Sequence, residues 1–384
     1  MKKIPFNLAY LTGSEEAYVL EALRSHAHCG NRVYGEKCVS LLKEKYGFGS
    51  VFLTPSCTAA MEMGAILSDL TVGDEVILPS YTFSSTANAI VLRGAKPVFC
   101  DVDPRTMNID PNLIEDLITD KTKMILPIDY AGIPCEINSI NSIAERNCIM
   151  VMLDAAQSLH SNYKNQPCGT HTPLAAFSFH ESKNLSCGEG GALIINDPEL
   201  AERAVFLQEK GTDRSLVLQG LKTKYGWVDL GSSFLLSDIL AAMLLAQIEN
   251  VNEIVKKRAV ITSAYQELFG LYEKRGNLQI PHPPPYVQVN HHAYFVIFDT
   301  AENRNSFLAL TRQRGITPYS GYVPLHSSKM GVKFGYATED LPITEDIAKR
   351  IVRLPFYTDL ADNGLEYCTD GMRAVLEELY GNII

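Results

Sequence analysis

A chain of 384 residues is long enough to bury one large core and a smaller one beside it. Hydrophobic residues make up 46% and charged residues 20%, an ordinary soluble composition, and the formal net charge of -10 argues against a nucleic-acid surface while leaving room for a local basic pocket. The nine cysteines, Cys29, Cys38, Cys57, Cys100, Cys135, Cys148, Cys168, Cys187 and Cys368, include no C-x-x-C pair, so neither a zinc site nor a disulfide framework is expected, and a reducing cytoplasm is.

Met1-Lys2-Lys3-Ile4-Pro5-Phe6-Asn7 opens the chain without an apolar run of secretory length, and no later stretch is apolar enough to predict a membrane span. From about residue 51 to 195, short Val, Ile and Leu runs alternate with segments of helical period, the pattern of a mainly parallel α/β sheet. Strands are predicted at 51–53, 75–78, 97–100, 124–127, 149–153, 175–179 and 192–195, and helices at 58–70, 84–92, 111–118 and 136–146. A helix over 198–209, a polar loop through Trp227 and one long helix over 237–264 follow. Pro281-His282-Pro283-Pro284-Pro285 marks a break, and 294–298, 306–314, 344–354 and 364–379 fit a smaller α+β domain. The expected division is 1–250, with the N-terminal segment, and 251–384. No internal repeat or low-complexity tract is evident.

Within this frame a few positions carry chemistry. Thr54-Pro55-Ser56-Cys57-Thr58-Ala59-Ala60 ends a strand and opens a helix, so free amides with the Ser56 and Thr58 hydroxyls form an anion site; Ser56 as a plain N-cap explains the local pattern equally well. Cys57 has no His or Asn motif beside it and reads as a small turn residue. Pro79-Ser80-Tyr81-Thr82-Phe83-Ser84-Ser85-Thr86 also leaves a strand and offers aromatics that either stack on a ring or fill core. Asp154 follows the apolar run 149–153 and so stands where open α/β sheets bind ligands, unless it only caps the next helix; Gln157 would then face the same ligand. Lys183 lies just past a strand in Phe177-Ser178-Phe179-His180-Glu181-Ser182-Lys183-Asn184. A desolvated lysine amine there suits Schiff-base chemistry, against the ordinary fate of a solvated surface lysine. Ser178 can donate to a phosphate, and Gly188-Glu189-Gly190-Gly191 lets backbone pass close to a ligand. Tyr322 and His326 place polar rings in the smaller domain as candidate substrate contacts; the adjacent His291 and His292 would point apart in a strand and make a poor metal site.

Taken together, these segments with Gly73-Asp74-Glu75-Val76-Ile77-Leu78-Pro79 resemble the sugar aminotransferases of the DegT/DnrJ/EryC1 family, nearly end to end. The resemblance implies the aspartate aminotransferase-like α/β fold (fold type I), pyridoxal 5'-phosphate as cofactor, and amino transfer from L-glutamate to C4 of a nucleotide-linked ketosugar, with dTDP-4-keto-6-deoxyglucose the expected acceptor. It implies Lys183 as the Schiff-base lysine, Asp154 at the pyridine nitrogen, Gln157 at the phenolic oxygen, Phe83 over the ring, and Cys57, Thr58 and Ser178 at the phosphate. It also implies a homodimer with active sites at the interface, the loop 226–237 reaching the other subunit. No metal, membrane or nucleic-acid partner is expected. Asp129 stands where many relatives have histidine, and Leu235 where many have asparagine. The family's dehydratases replace the lysine with histidine, and Lys183 argues against that chemistry.

Overall fold

The computed structural model describes residues 2–382. Its strands are β1 (Ser50–Thr54), β2 (Glu75–Pro79), β3 (Lys96–Cys100), β4 (Thr122–Ile125), β5 (Met150–Asp154), β6 (Asn162–Tyr163), β7 (Gln166–Pro167), β8 (Leu174–Ser178), β9 (Gly191–Ile195), β10 (Leu278–Gln279), β11 (Val287–Gln288), β12 (Phe295–Phe298) and β13 (Ile351–Arg353). Seven of them form one sheet in the order β1-β9-β8-β5-β4-β2-β3. All run parallel except β9, which is antiparallel to both β1 and β8. The seven strands expected from the apolar runs are these seven.

Their side chains alternate between two cores. Ile77, Val151, Leu153 and Phe177 face one side with Cys38, Leu42 and Leu244, and Val76, Leu78, Met152 and Ala176 face the other with Met61, Ile90 and Leu207. Burial on both faces is why these strands read as unbroken apolar runs rather than as alternating ones. The helices Val33–Tyr46, Ile137–Arg146 and Asp238–Glu249 cover the first face, and Cys57–Leu67, Ser84–Val91 and Pro198–Gln208 the second. A third core, built on the sheet β10-β12-β13, gathers Tyr265, Phe269, Phe307, Met372 and Val375 from the helices Val251–Glu273, Ala301–Gln313 and Leu365–Tyr380. Among the described residues no helix is long and apolar enough to cross a membrane.

Several expectations need correction. The helix over 237–264 is two, because Asn250 ends the first with φ -104 and ψ 13 and its side-chain amide, through Nδ2, donates to the Ala246 carbonyl (2.8 Å). Residues 111–118 form two short 3-10 turns, Pro111–Leu113 and Glu115–Leu117. His291 and His292 lie outside any strand, with His291 at φ 54. The N-terminal segment joins the third core rather than the large sheet: Ile4 is buried there, its N–H donating to the Gly315 carbonyl (2.8 Å) and its carbonyl accepting from Thr317 (3.0 Å).

Candidate active site

Parallel strands bring their carboxyl ends to one edge of the sheet, and β9, running the other way, brings its amino end to the same edge. Thr54, Asp154, Ser178 and Gly191 are therefore neighbours. Gly191 pairs with both Thr54 and Ser178, and a Cβ there would overlap the backbone of Ser56 and Cys57, which accounts for a glycine at the start of this strand. The loops beyond these residues enclose a cavity of about 380 Å³. Lys183, Asp154, Cys57, Thr58, Phe83, Gln157, Ser178 and Tyr322, all singled out in the sequence, line it.

Asp154 is 5% exposed. Its Oδ2 accepts from Thr86 Oγ1 (2.8 Å) and its Oδ1 from the Ala156 N–H (3.1 Å). Thr86 in turn lies 2.9 Å from Thr82 Oγ1, so with its own proton on Asp154 it accepts from Thr82. Burial pushes the Asp154 carboxyl above its ordinary value, opposed by these two hydrogen bonds and by the charge of Lys183. Among the described residues no cation forms an ion pair with it. A buried carboxylate of this kind favours a cationic N–H partner brought by a ligand.

Gln157 accepts from the Ala131 N–H through Oε1 (2.8 Å), which fixes its amide and leaves Nε2 as the donor on the cavity side. Lys183 sits on a turn closed by its N–H and the His180 carbonyl (2.9 Å). Asn184, next to it, donates to the Asn290 carbonyl (2.8 Å) and accepts at Oδ1 from His292 Nδ1 (3.0 Å). Burial holds His292 neutral, and Lys183, Arg258 and Arg353 around it push in the same direction. Arg258 fastens this loop by donating to the carbonyls of His291 (2.9 Å) and His292 (2.5 Å).

On the opposite wall the helix Cys57–Leu67 points its N-terminus into the cavity. Ser56 is its N-cap, accepting from the Ala59 N–H (3.0 Å), and the Thr58 hydroxyl donates to Ser85 Oγ (2.8 Å), which leaves the first amides and the Ser85 and Ser178 hydroxyls for an anion; the two readings of Ser56 are thus compatible. Burial pushes the Cys57 thiol well up, in keeping with a packing role. A phosphorylated pyridine aldehyde fits this donor set: an anion site at one end, a carboxylate lacking a cation at the other, and an amine and an amide donor beside the ring.

One candidate does not belong. His326 is fully buried away from the cavity, its Nδ1 2.7 Å from Ser80 Oγ and its Nε2 3.4 Å from the Thr338 carbonyl. It ties the loop after β2 to the C-terminal part of the chain. Asp129 is buried beneath the site, accepting from the Cys135 N–H (2.8 Å) and Ser158 Oγ (2.7 Å), and Leu235 packs over Gly30 of its own chain. Sequence reasoning passed over Thr82 and Thr86, the relay behind Asp154, although both lie in the segment it had marked after β2.

The model of the DegT/DnrJ/EryC1/StrS aminotransferase family matches residues 12–373. The spore coat polysaccharide biosynthesis protein SpsC of Bacillus subtilis is 29% identical over 97% of both chains, and a protein of Geobacillus stearothermophilus named pleiotropic regulatory protein is 33% identical over 78% of this chain and 77% of its own. The putative sugar aminotransferase Spr1654 of Streptococcus pneumoniae, solved in forms named for PLP and for PMP, superposes with a TM-score of 0.90 at 25% identity, covering 98% of this chain and 100% of its own. The chain therefore belongs to the DegT/DnrJ/EryC1/StrS aminotransferase family and is a pyridoxal phosphate-dependent sugar aminotransferase of fold type I.

Proposed function

We propose that the enzyme transfers the amino group of L-glutamate to C4 of dTDP-4-keto-6-deoxy-D-glucose, giving dTDP-4-amino-4,6-dideoxy-D-galactose and 2-oxoglutarate. The observation that carries the reading is the meeting of the Lys183 amine and the buried, cation-free Asp154 carboxylate in one cavity. A nucleotide-linked acceptor is supported by a second recess of about 370 Å³, which shares Thr82, Phe83 and Tyr322 with the first and continues along Val323, Met330 and Phe334. The choice of sugar rests on Thr106-Met107-Asn108-Ile109-Asp110 and Glu209-Lys210-Gly211-Thr212-Asp213-Arg214-Ser215, which resemble transaminases making this aminosugar. Asn108 has a place in the site's frame, because it accepts from the Tyr130 N–H (2.7 Å) and donates to the Ile133 carbonyl (2.9 Å).

When bound, the cofactor supplies an electron sink for the carbanion at the reacting carbon. Lys183 would hold it covalently through its amine and would move the proton at the donor's α-carbon, and in the opposite sense at the ketosugar carbon. Asp154 would keep the pyridine nitrogen protonated. Gln157 would donate to the phenolic oxygen, Phe83 would cover the ring, and Cys57, Thr58 and Ser178 would hold the phosphate at the helix N-terminus. Tyr322 borders the substrate side.

The working unit is a homodimer with its active sites at the interface. Support comes from the stretch 214–230, which exposes Leu218, Leu221, Tyr225 and Trp227, the last at 81%, more apolar surface than a solvated loop ordinarily keeps. We divide the chain at 250/251, next to the helix break, with the N-terminal segment around Ile4 packed on the second unit, and place the enzyme in the cytoplasm on its nine unpaired thiols.

The test is an NMR-resolved assay of the purified protein with pyridoxal phosphate, glutamate and dTDP-4-keto-6-deoxyglucose, read at C4 of the product. An axial amine is expected. An equatorial amine assigns the gluco epimer instead, and glutamate-dependent bleaching without amination means that another ketosugar is the acceptor.

A further inference from the structure

His292 stands in the loop between β11 and β12 with its side chain buried. Its hydrogen-bond partner fixes which ring nitrogen carries the hydrogen. Asn184 spends its Nδ2 on the Asn290 carbonyl (2.8 Å), so the atom it turns toward His292 Nδ1 is Oδ1 (3.0 Å), which only accepts. Nδ1 is therefore protonated and Nε2 is left as a lone-pair acceptor. Among the described residues no donor reaches that Nε2. His291, beside it, is only partly buried and is spent on Thr262 Oγ1 (3.0 Å). A buried acceptor is ordinarily satisfied by protein or by ordered water.

The surroundings of His292 supply a place for such a water. His292 and Lys183 line one small chamber of about 10 Å³, which shares Gln157, Ser178 and Lys183 with the main cavity and is closed on its apolar side by Leu159 and Leu185. That is room for a single water. Its walls come from three segments tied to one another: Asn290 Nδ2 donates to the carbonyls of Gln157 and Leu159 (2.8 Å each), Asn184 donates to Asn290, and Arg258 donates to the His292 carbonyl (2.5 Å). A water in the chamber meets two groups of opposite kind, accepting from the Lys183 amine and donating to His292 Nε2. Burial and the charges of Lys183, Arg258 and Arg353 keep the imidazole neutral, so its lone pair persists while the lysine changes state. A free neutral lysine amine has two N–H bonds and one lone pair. With one N–H committed to the chamber, the lone pair is turned toward the main cavity.

We infer that the chamber is a water site and that His292, acting through that water, is a positioning residue that aims the freed Lys183 amine at the carbon to be deprotonated. This rests on the reading above of Lys183 as the group that moves the donor's α-proton. The competing role for His292 is to anchor its own loop through Asn184, and the test separates the two.

The crystal structure of the holoenzyme, converted with glutamate to the form in which Lys183 is free, is expected to show one water within about 3.2 Å of both Lys183 Nζ and His292 Nε2. No water there overturns the inference, and this measurement needs no variant. His292→Asn keeps a donor toward Asn184 and lacks the acceptor. Followed by cofactor absorbance after rapid mixing with glutamate, it is expected to react about 10- to 100-fold more slowly than the parent, with a larger slowing by α-deuterated glutamate, while pyridoxal phosphate affinity stays within about threefold. A rate within about threefold of the parent overturns the inference. So does a slower rate with an unchanged deuterium effect, which marks a residue that only holds the loop. If Lys183→Ala exchanges the α-proton of glutamate with solvent as fast as the parent, the reading of Lys183 fails on its own, and the crystallographic water still decides the inference.

Discussion

Replacing Thr86 by valine removes one hydroxyl from behind Asp154 and keeps the shape of the side chain. That hydroxyl donates to Asp154 Oδ2 at 2.8 Å inside the protein, and a hydrogen bond to a charged acceptor contributes about 1.5–3 kcal/mol. At about 1.4 kcal/mol per pKa unit, its loss raises the Asp154 pKa by roughly 1–2 units, on top of the rise that burial already imposes. A carboxylate that protonates at higher pH loses its charge earlier as pH falls. The variant should therefore show the acid limb of kcat/KM displaced upward by roughly 1–2 pH units, and cofactor affinity about 10- to 100-fold weaker on the acid side, recovering toward alkaline pH. The assay is titration of the cofactor-free protein with pyridoxal phosphate across the neutral range, with the pH–rate profile beside it. Thr82→Val, which removes only the donor to Thr86, should give a smaller displacement in the same direction. An unmoved acid limb, or a loss of affinity equal at every pH, would refute the reasoning and point to damaged packing.

Lys183→Ala should abolish turnover and leave the protein without imine absorbance when mixed with pyridoxal phosphate; full activity would remove the assigned role. Gly191→Ala forces a methyl into the Ser56–Cys57 backbone, and thermal unfolding should show a loss of about 1–3 kcal/mol together with weaker cofactor binding. Burial pushes the Asp129 carboxyl from an ordinary value near 3.8 up to about 6, against hydrogen bonds from Ser158 and Cys135 and the nearby Cys168 thiol. The folded state therefore holds this proton more tightly than the unfolded chain, so its contribution is present below the unfolded pKa and is lost as pH rises through about 6. The loss is on the order of 3 kcal/mol, and denaturant unfolding of Asp129→Asn should lack that part of the pH slope.

Most of the site could be read from residue order because each residue follows a strand of one sheet edge. Asp154 and Ser178 stand at strand ends, and Lys183 and Gln157 lie in the loops just beyond. His326 was misplaced because its position four residues past Tyr322 says nothing about which way the ring turns, and its contact with Ser80, far away in sequence, settles that. The break at Asn250 was hidden because apolar spacing runs on through it, with Ile248 and Val251 both in the same core. The reversed direction of β9 has no sequence signal either, since a strand buried on both faces reads the same in either sense. Thr86 escaped because a threonine in the first turn of a helix is unremarkable until the carboxylate it serves is found.

The reversed strand has a mechanical consequence. The loop carrying Lys183 closes a hairpin between β8 and β9, laced by Phe179 to Gly190 (2.8 Å), Cys187 to Phe179 (3.0 Å) and Glu181 to Gly188 (2.9 Å). The lysine thus rides on a stiff bracket anchored in the large sheet, while Tyr322 comes from the C-terminal part of the chain. The proposed amine carrier and the proposed substrate contact therefore sit on separate parts. Exchanging the segment around Tyr322 between relatives should retune the accepted carbonyl compound without disturbing the bracket, a modularity that lets one chassis serve many sugars.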